Sequence, residues 1–186
     1  PYGLELRSCG IHCLESLEGI LAKHGHEVAG VVVEPLLQAA AGMLLLPDGW
    51  LRRVRELCDR HRTLLIVDEV ATGFGRTGRM FACEHENVSP DLMAIAKGMT
   101  GGYLPLAATL ATEEIFSAFL APTQASRQLF HGHSYSGNAL GCAAALANLE
   151  IFETEDVLGR VARTGARLAT RLEELRARAC VGDIRQ

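Results

Sequence analysis

The sequence predicts an α/β fold built around a mostly parallel sheet. Three observations carry that expectation. Short aliphatic runs alternate with helical periodicity, as in successive βαβ units. The runs lack the strict polar alternation of half-exposed strands, so both faces of the sheet are expected to be covered. Charged or reactive side chains follow directly on three of these runs, at the strand ends where open parallel sheets bind ligands.

The four strand candidates are residues 29–34 (AGVVVE), 64–68 (LLIVD), 91–96 (DLMAIA) and 106–111 (LAATLA). Between the first two, Asp48 is placed to cap a helix. Trp50, Val54, Leu57 and Cys58 fall at i, i+4, i+7 and i+8 of that helix, the single apolar face of an element docked on a sheet. Gly137-Asn138 precedes an alanine-rich helical stretch over 139–152. Val157, Val161, Leu168, Leu172 and Leu175 then trace an amphipathic helix whose outer face carries Arg and Glu, leading toward another domain. The sequence contains no internal repeat, low-complexity tract or obvious linker.

Composition narrows the function classes. The 186 residues are 48% hydrophobic, 22% charged and 5% aromatic, which is the profile of a globular α/β chain. Eighteen basic against 22 acidic side chains leave a formal charge of -4, with no basic run for nucleic acid. The six cysteines, at 9, 13, 58, 83, 142 and 180, form no CxxC pair or zinc spacing, so free and mostly buried thiols in a reducing cytoplasm are expected, with no metal. No apolar run approaches the roughly 20 residues of a membrane span. The start at Pro1-Tyr2-Gly3 and the end at Val181 to Gln186, which reads as a strand just beginning, suggest a piece of a longer protein.

The polar residues at the strand ends are Glu34, Asp68 and Lys97. A lysine at the edge of a packed interior can lose its proton and attack a carbonyl; the plain alternative is a surface lysine that opens a loop. The small residues 98–102 (GMTGG) form a flexible turn that would let a ring lie close to the backbone. Asp68-Glu69 has two readings, a Mg²⁺ site as in nucleotide hydrolases or a partner for a protonated pyridine nitrogen. No GxxxxGK[ST] loop accompanies it, so the hydrolase reading lacks its phosphate cradle. GFGRTG at 73–78 matches GxGxxG, but it starts five residues after Asp68 and opens no clear helix, which argues against a dinucleotide site. The loop over 131–138 (HGHSYSGN) precedes a helix and could hold an anion or serve as an ordinary cap. Two histidines there, like His24 and His26, are read as solvated rather than as metal ligands.

Taken together, Glu34-Pro35, VDEVATGFGRTG over 67–78, Pro90-Asp91, Ala96-Lys97-Gly98 and GGYLPL over 101–106 resemble the class III pyridoxal-phosphate (PLP) aminotransferases of fold type I. The resemblance covers most of the chain, and the spacing of 29 residues from Asp68 to Lys97 fits it. It implies a three-layer αβα large domain over 1–152, with 153–186 as a long helix and the start of a small domain. Lys97 would bind the cofactor covalently and shuttle the proton, and Asp68 would hold the pyridine nitrogen. Ser134 would bind the cofactor phosphate in place of a threonine, reaching the neighbouring subunit's site, with His133 beside it where the family has proline. Gly132 and Arg76 would line the substrate pocket with Lys97.

Most members have glutamine where this sequence has Ala71. That difference, with FACEH at 81–85 and His131-Gly132 ahead of Gly137-Asn138, resembles the branch of the family that serves biotin biosynthesis. The branch implies transfer of an amino group from S-adenosylmethionine to 8-amino-7-oxononanoate by a cytoplasmic homodimer. Another class III ω-amino-acid or diamine aminotransferase is the rival. The family's glycine/serine phosphate cradle, aromatic pocket residues and carboxylate-binding arginine are not visible here, so the 186 residues alone are expected to be inactive.

Overall fold

A computed structural model describes residues 9–122 and 125–186. At its centre, β1 (Gly30–Val33), β4 (Leu64–Asp68), β5 (Leu92–Ile95) and β6 (Ala108–Ala111) form one sheet in the order β1-β4-β5-β6. The first three strands are parallel, with Val33 beside Val67 and Asp68 beside Ala94, whereas β6 runs antiparallel to β5. All four expected strands form, three of them two residues shorter than their apolar runs. A two-stranded hairpin of β2 (Leu37–Gln38) and β3 (Leu44–Leu45) was not foreseen, because two-residue strands carry no periodicity. Glu34 belongs to that hairpin: its Oε2 accepts the Ala39 N–H at 2.9 Å, a structural task rather than a place in a ligand site.

Within the described residues one face of the sheet is covered. Side chains alternate across a strand, and along β4 Leu65 and Val67 are fully buried while Leu64 is 38% exposed. α1 (Leu14–His24) and α2 (Trp50–His61) pack on the Leu65 face, where Leu21, Val54 and Leu57 close the core. Val32, the neighbour of Ile66 on the other face, is 65% exposed. No described helix covers that face, and an apolar strand cannot itself specify what will cover it.

The apolar face of α2 is as the periodicity requires, with Trp50, Val54, Leu57 and Cys58 all buried. Its cap differs. Gly49, at φ 82, occupies the cap position instead of Asp48, in a left-handed conformation that glycine adopts without a Cβ penalty. The free N–H groups of Gly49 and Arg52 donate to the Glu86 carboxylate at 3.1 and 2.8 Å, so the capping side chain comes from 37 residues downstream. Asp91 ties the same helix to the sheet, since its Oδ2 accepts from the Leu65 N–H and from Arg55, both at 2.7 Å.

After β6 come α3 (Glu113–Ala118), α4 (Ala139–Thr154) and α5 (Val157–Glu173). α4 and α5 match the two helical stretches read from the sequence. Asn138 caps α4 by accepting the Gly141 N–H at 3.0 Å, and Asp156 caps α5 by accepting the Gly159 N–H at 3.2 Å. Among the described residues no helix is long and apolar enough to cross a membrane.

All six cysteines are free, but only Cys58 and Cys83 are buried, fewer than expected. Burial, and then the nearby Glu69 carboxylate, push the Cys83 thiol from 9.0 up to about 12. The folded chain therefore keeps a proton that the unfolded chain releases. That contribution is complete below pH 9 and is lost as the pH rises toward 12, at up to about 1.4 kcal/mol per pH unit. Denaturant unfolding at pH 8 and pH 10.5 should show the loss in the parent protein and a smaller one in Cys83→Ala.

Candidate functional site

The site is built where β4 and β5 end side by side. Pairing continues one step beyond β4, as the Glu69 N–H donates to Ala94 O at 2.9 Å. Asp68 is half-buried on the uncovered face of the sheet, and its Oδ1 accepts the Val70 N–H at 3.0 Å, which fixes the carboxylate at the strand end. Glu69 turns the other way and is fully buried. Its carboxylate accepts the Cys83 N–H at 2.8 Å and the Thr72 hydroxyl. Both oxygens of Glu69 are thus committed inside the protein, which removes it from any Mg²⁺ site shared with Asp68.

The glycines of GFGRTG serve packing. Phe74 lies between Phe81 and Phe152, at ring separations of 5.8 and 6.3 Å in edge-on geometry. A Cβ on Gly73 would stand 3.0 Å from Glu69 O, and one on Gly98 would stand 2.8 Å from the Phe74 Cβ. The segment is a string of turns and does not lead into an α-helix, so the dinucleotide fingerprint is coincidental. Gly98→Ala should cost about 1–3 kcal/mol through this clash, measured by thermal unfolding, and should displace the turn that carries Lys97.

Lys97 opens a 3₁₀ turn over Lys97–Thr100 with φ 45, a left-handed value uncommon for a side chain other than Gly, Asn or Asp. Such strain costs about 1–3 kcal/mol and persists only where the surroundings over-determine it. Here they do. Met99 and Thr100 are buried, the Thr100 hydroxyl donates to Leu104 O at 2.6 Å, and the Asn148 amide donates to Gly98 O at 2.9 Å and Met99 O at 3.2 Å. The GMTGG stretch is therefore a pinned turn rather than the flexible one expected. Lys97 itself is exposed and reaches open space rather than a packed interior.

That space is a cavity of about 1300 Å³. Lys97, Arg76 and His133 all line it, so three residues singled out in the sequence converge. Asp68, Gly132 and Ser134 are not in its walls. The reason for the last two is local: the chain turns over residues 134–137, with Ser136 N–H donating to His133 O at 2.9 Å and Ser136 Oγ accepting the His133 N–H at 3.0 Å. The turn presents Ser136 to the cavity in place of Ser134. Tyr135 N–H donates to His133 Nδ1 at 3.1 Å, which leaves the ring proton on Nε2. Gly137 and Asn138 complete this wall and place the positive end of α4 against the cavity, a favourable position for an anion. Ser136, Asn148 and Phe152 were missed in the sequence. Nothing in a serine after Tyr135, or in an asparagine inside an alanine-rich helix, distinguishes it before the chain is folded.

The family Aminotransferase class-III matches residues 4–186. The chain is 55% identical, over all its length, to the adenosylmethionine-8-amino-7-oxononanoate aminotransferase of Nitratidesulfovibrio vulgaris, of which it covers 34%. It superposes with a TM-score of 0.88 and 45% identity on the enzyme of that name from Methanocaldococcus jannaschii, over 93% of this chain and 40% of that one. An amine transaminase from an uncultivated Pseudomonas species, solved in a PLP-bound form, gives a TM-score of 0.85 at 44% identity over 94% of this chain and 39% of its own. The chain thus spans about a third to two fifths of the length of these relatives.

Proposed function

Because the chain belongs to the class III aminotransferase family, an α/β family of transferases, we propose that it carries the lysine half of a PLP-dependent active site, and that the whole protein transfers an amino group from S-adenosylmethionine to 8-amino-7-oxononanoate in biotin biosynthesis. The observation that carries this reading is Lys97, set on a strained and pinned turn at a strand end and facing a cavity large enough for a cofactor with substrate.

The donor set fits the cofactor. PLP needs an amine for its aldehyde, an anion for its ring nitrogen and N–H groups for its phosphate. Lys97 and the N-terminus of α4 share one cavity, and Asp68 ends the strand next to the one that leads to Lys97. When bound, the cofactor supplies an electron sink for charge developing at the substrate α-carbon. Lys97 then moves a proton at that carbon, and Asp68 keeps the ring nitrogen protonated. Ser134 with His133 serves the phosphate, in keeping with a homodimer whose sites are completed across the interface. Arg76, in the cavity wall, is assigned to the substrate; Gly132 is assigned there by the resemblance alone, since it lies outside that wall. A division near residue 152 into a cofactor-binding domain and a second domain, and a cytoplasmic location, belong to the same reading.

The 44% identity to an amine transaminase keeps a second donor class in view, a diamine or ω-amino acid. Both readings predict a lysine adduct, and they separate on substrate. The test is an absorbance spectrum of the full-length protein with PLP before and after borohydride, with peptide mapping, followed by an amino-donor screen against 8-amino-7-oxononanoate. A reduced adduct on Lys97 with turnover of that acceptor is expected. A label elsewhere, or none, overturns the cofactor assignment; an adduct with turnover only of simple amines favours the second reading.

A further inference from the structure

We infer that Asn148, a residue of α4 far from Lys97 in sequence, is a positioning residue that holds Lys97 in register with the cavity. The inference rests on the proposed role of Lys97 and adds the group that keeps it there. Its basis is the geometry of the turn. The two carbonyls that follow Lys97, on Gly98 and Met99, both accept from the Asn148 amide, at 2.9 and 3.2 Å; for Gly98 O this adds to the bond it takes from the Gly101 N–H at 3.1 Å. The backbone N–H bonds of the turn, Met99 to Ala96 O and Gly101 to Gly98 O, hold its shape but do not anchor it to another element.

Two further features give Asn148 a defined place. The other end of its side chain lies against Gly101, where an added Cβ would stand 3.1 Å from Asn148 Oδ1. Ala145, one turn earlier on α4, is buried against the cluster of Ile95 and Met99, so the helix sits in fixed register with β5. The same helix presents Asn138 to the cavity at its N-terminus. α4 therefore joins the anion-favouring wall to the lysine turn as one rigid piece. A proton shuttle tolerates displacements of only about 0.5 Å, and the positive φ of Lys97 means that a released turn would relax from its present conformation.

Asn148→Asp keeps the shape and replaces the two N–H donors with a carboxylate oxygen facing two carbonyls; Asn148→Ala removes the group. In the full-length protein with PLP, both are expected to lower kcat by about tenfold while KM stays within about twofold. In the cofactor-free protein, the Met99 and Gly101 amides should exchange with solvent at least about tenfold faster, whereas amides of α2 exchange as before. Thermal unfolding separates this from a failure to fold. Parent-like kcat and parent-like exchange at Met99 and Gly101 in a folded Asn148→Asp protein overturn the inference and leave the proposed function standing. A parent protein that forms no borohydride-stable adduct at Lys97 overturns both.

Discussion

Replacing Lys97 with alanine should lower transamination by the whole protein at least about ten-thousand-fold, the upper range for loss of a group that transfers the proton. The side chain is exposed, so in the cofactor-free protein its removal should change stability by no more than about 0.5 kcal/mol, and an unchanged unfolding midpoint there makes the loss a statement about chemistry. Lys97→Arg is the sharper variant. It keeps a cation at the cavity, but a guanidinium does not lose its proton and cannot take one up as an amine does. Steady-state rates on both variants, with borohydride labelling, decide the matter. An arginine variant retaining a tenth or more of the parent rate would show that Lys97 serves only as a positive charge.

The largest stability effect is expected at Glu69, a residue that never reaches the cavity. Its fully buried carboxylate closes the turn after β4 by bonding the Cys83 N–H and the Thr72 hydroxyl. Glu69→Ala leaves a buried N–H and a buried hydroxyl without their partner and opens a void beside Val67. The expected cost is about 3–5 kcal/mol, a large fraction of the 5–15 kcal/mol that holds a typical domain together. Glu69→Gln keeps the volume and one acceptor and should cost about 1 kcal/mol. Denaturant titration of the two variants gives the comparison, and equal losses would mean that the paired carboxylate acceptors, not the volume, are what Glu69 contributes. The contrast with Asp68, one residue away and on the opposite face, follows from the period of two along a strand.

Local pattern was enough to locate the four sheet strands, the apolar face of α2, both long C-terminal helices, and Asp68 and Lys97 at strand ends. In each case the signal is a period of 2 or 3.6, or a polar residue breaking an apolar run, and all of its terms lie within a few residues. The resemblance then supplied roles for the residues around Lys97, and family membership agrees with it. Tertiary structure alone decided the rest. Glu86 caps α2 from 37 residues away, β6 runs antiparallel, Ser136 rather than Ser134 faces the cavity, and Asn148 clamps the lysine turn from 50 residues downstream. These depend on hydrogen bonds and van der Waals fits between residues that share no local pattern. A buried carbonyl requires a donor but does not specify where in the chain that donor lies, and only the folded backbone makes the choice.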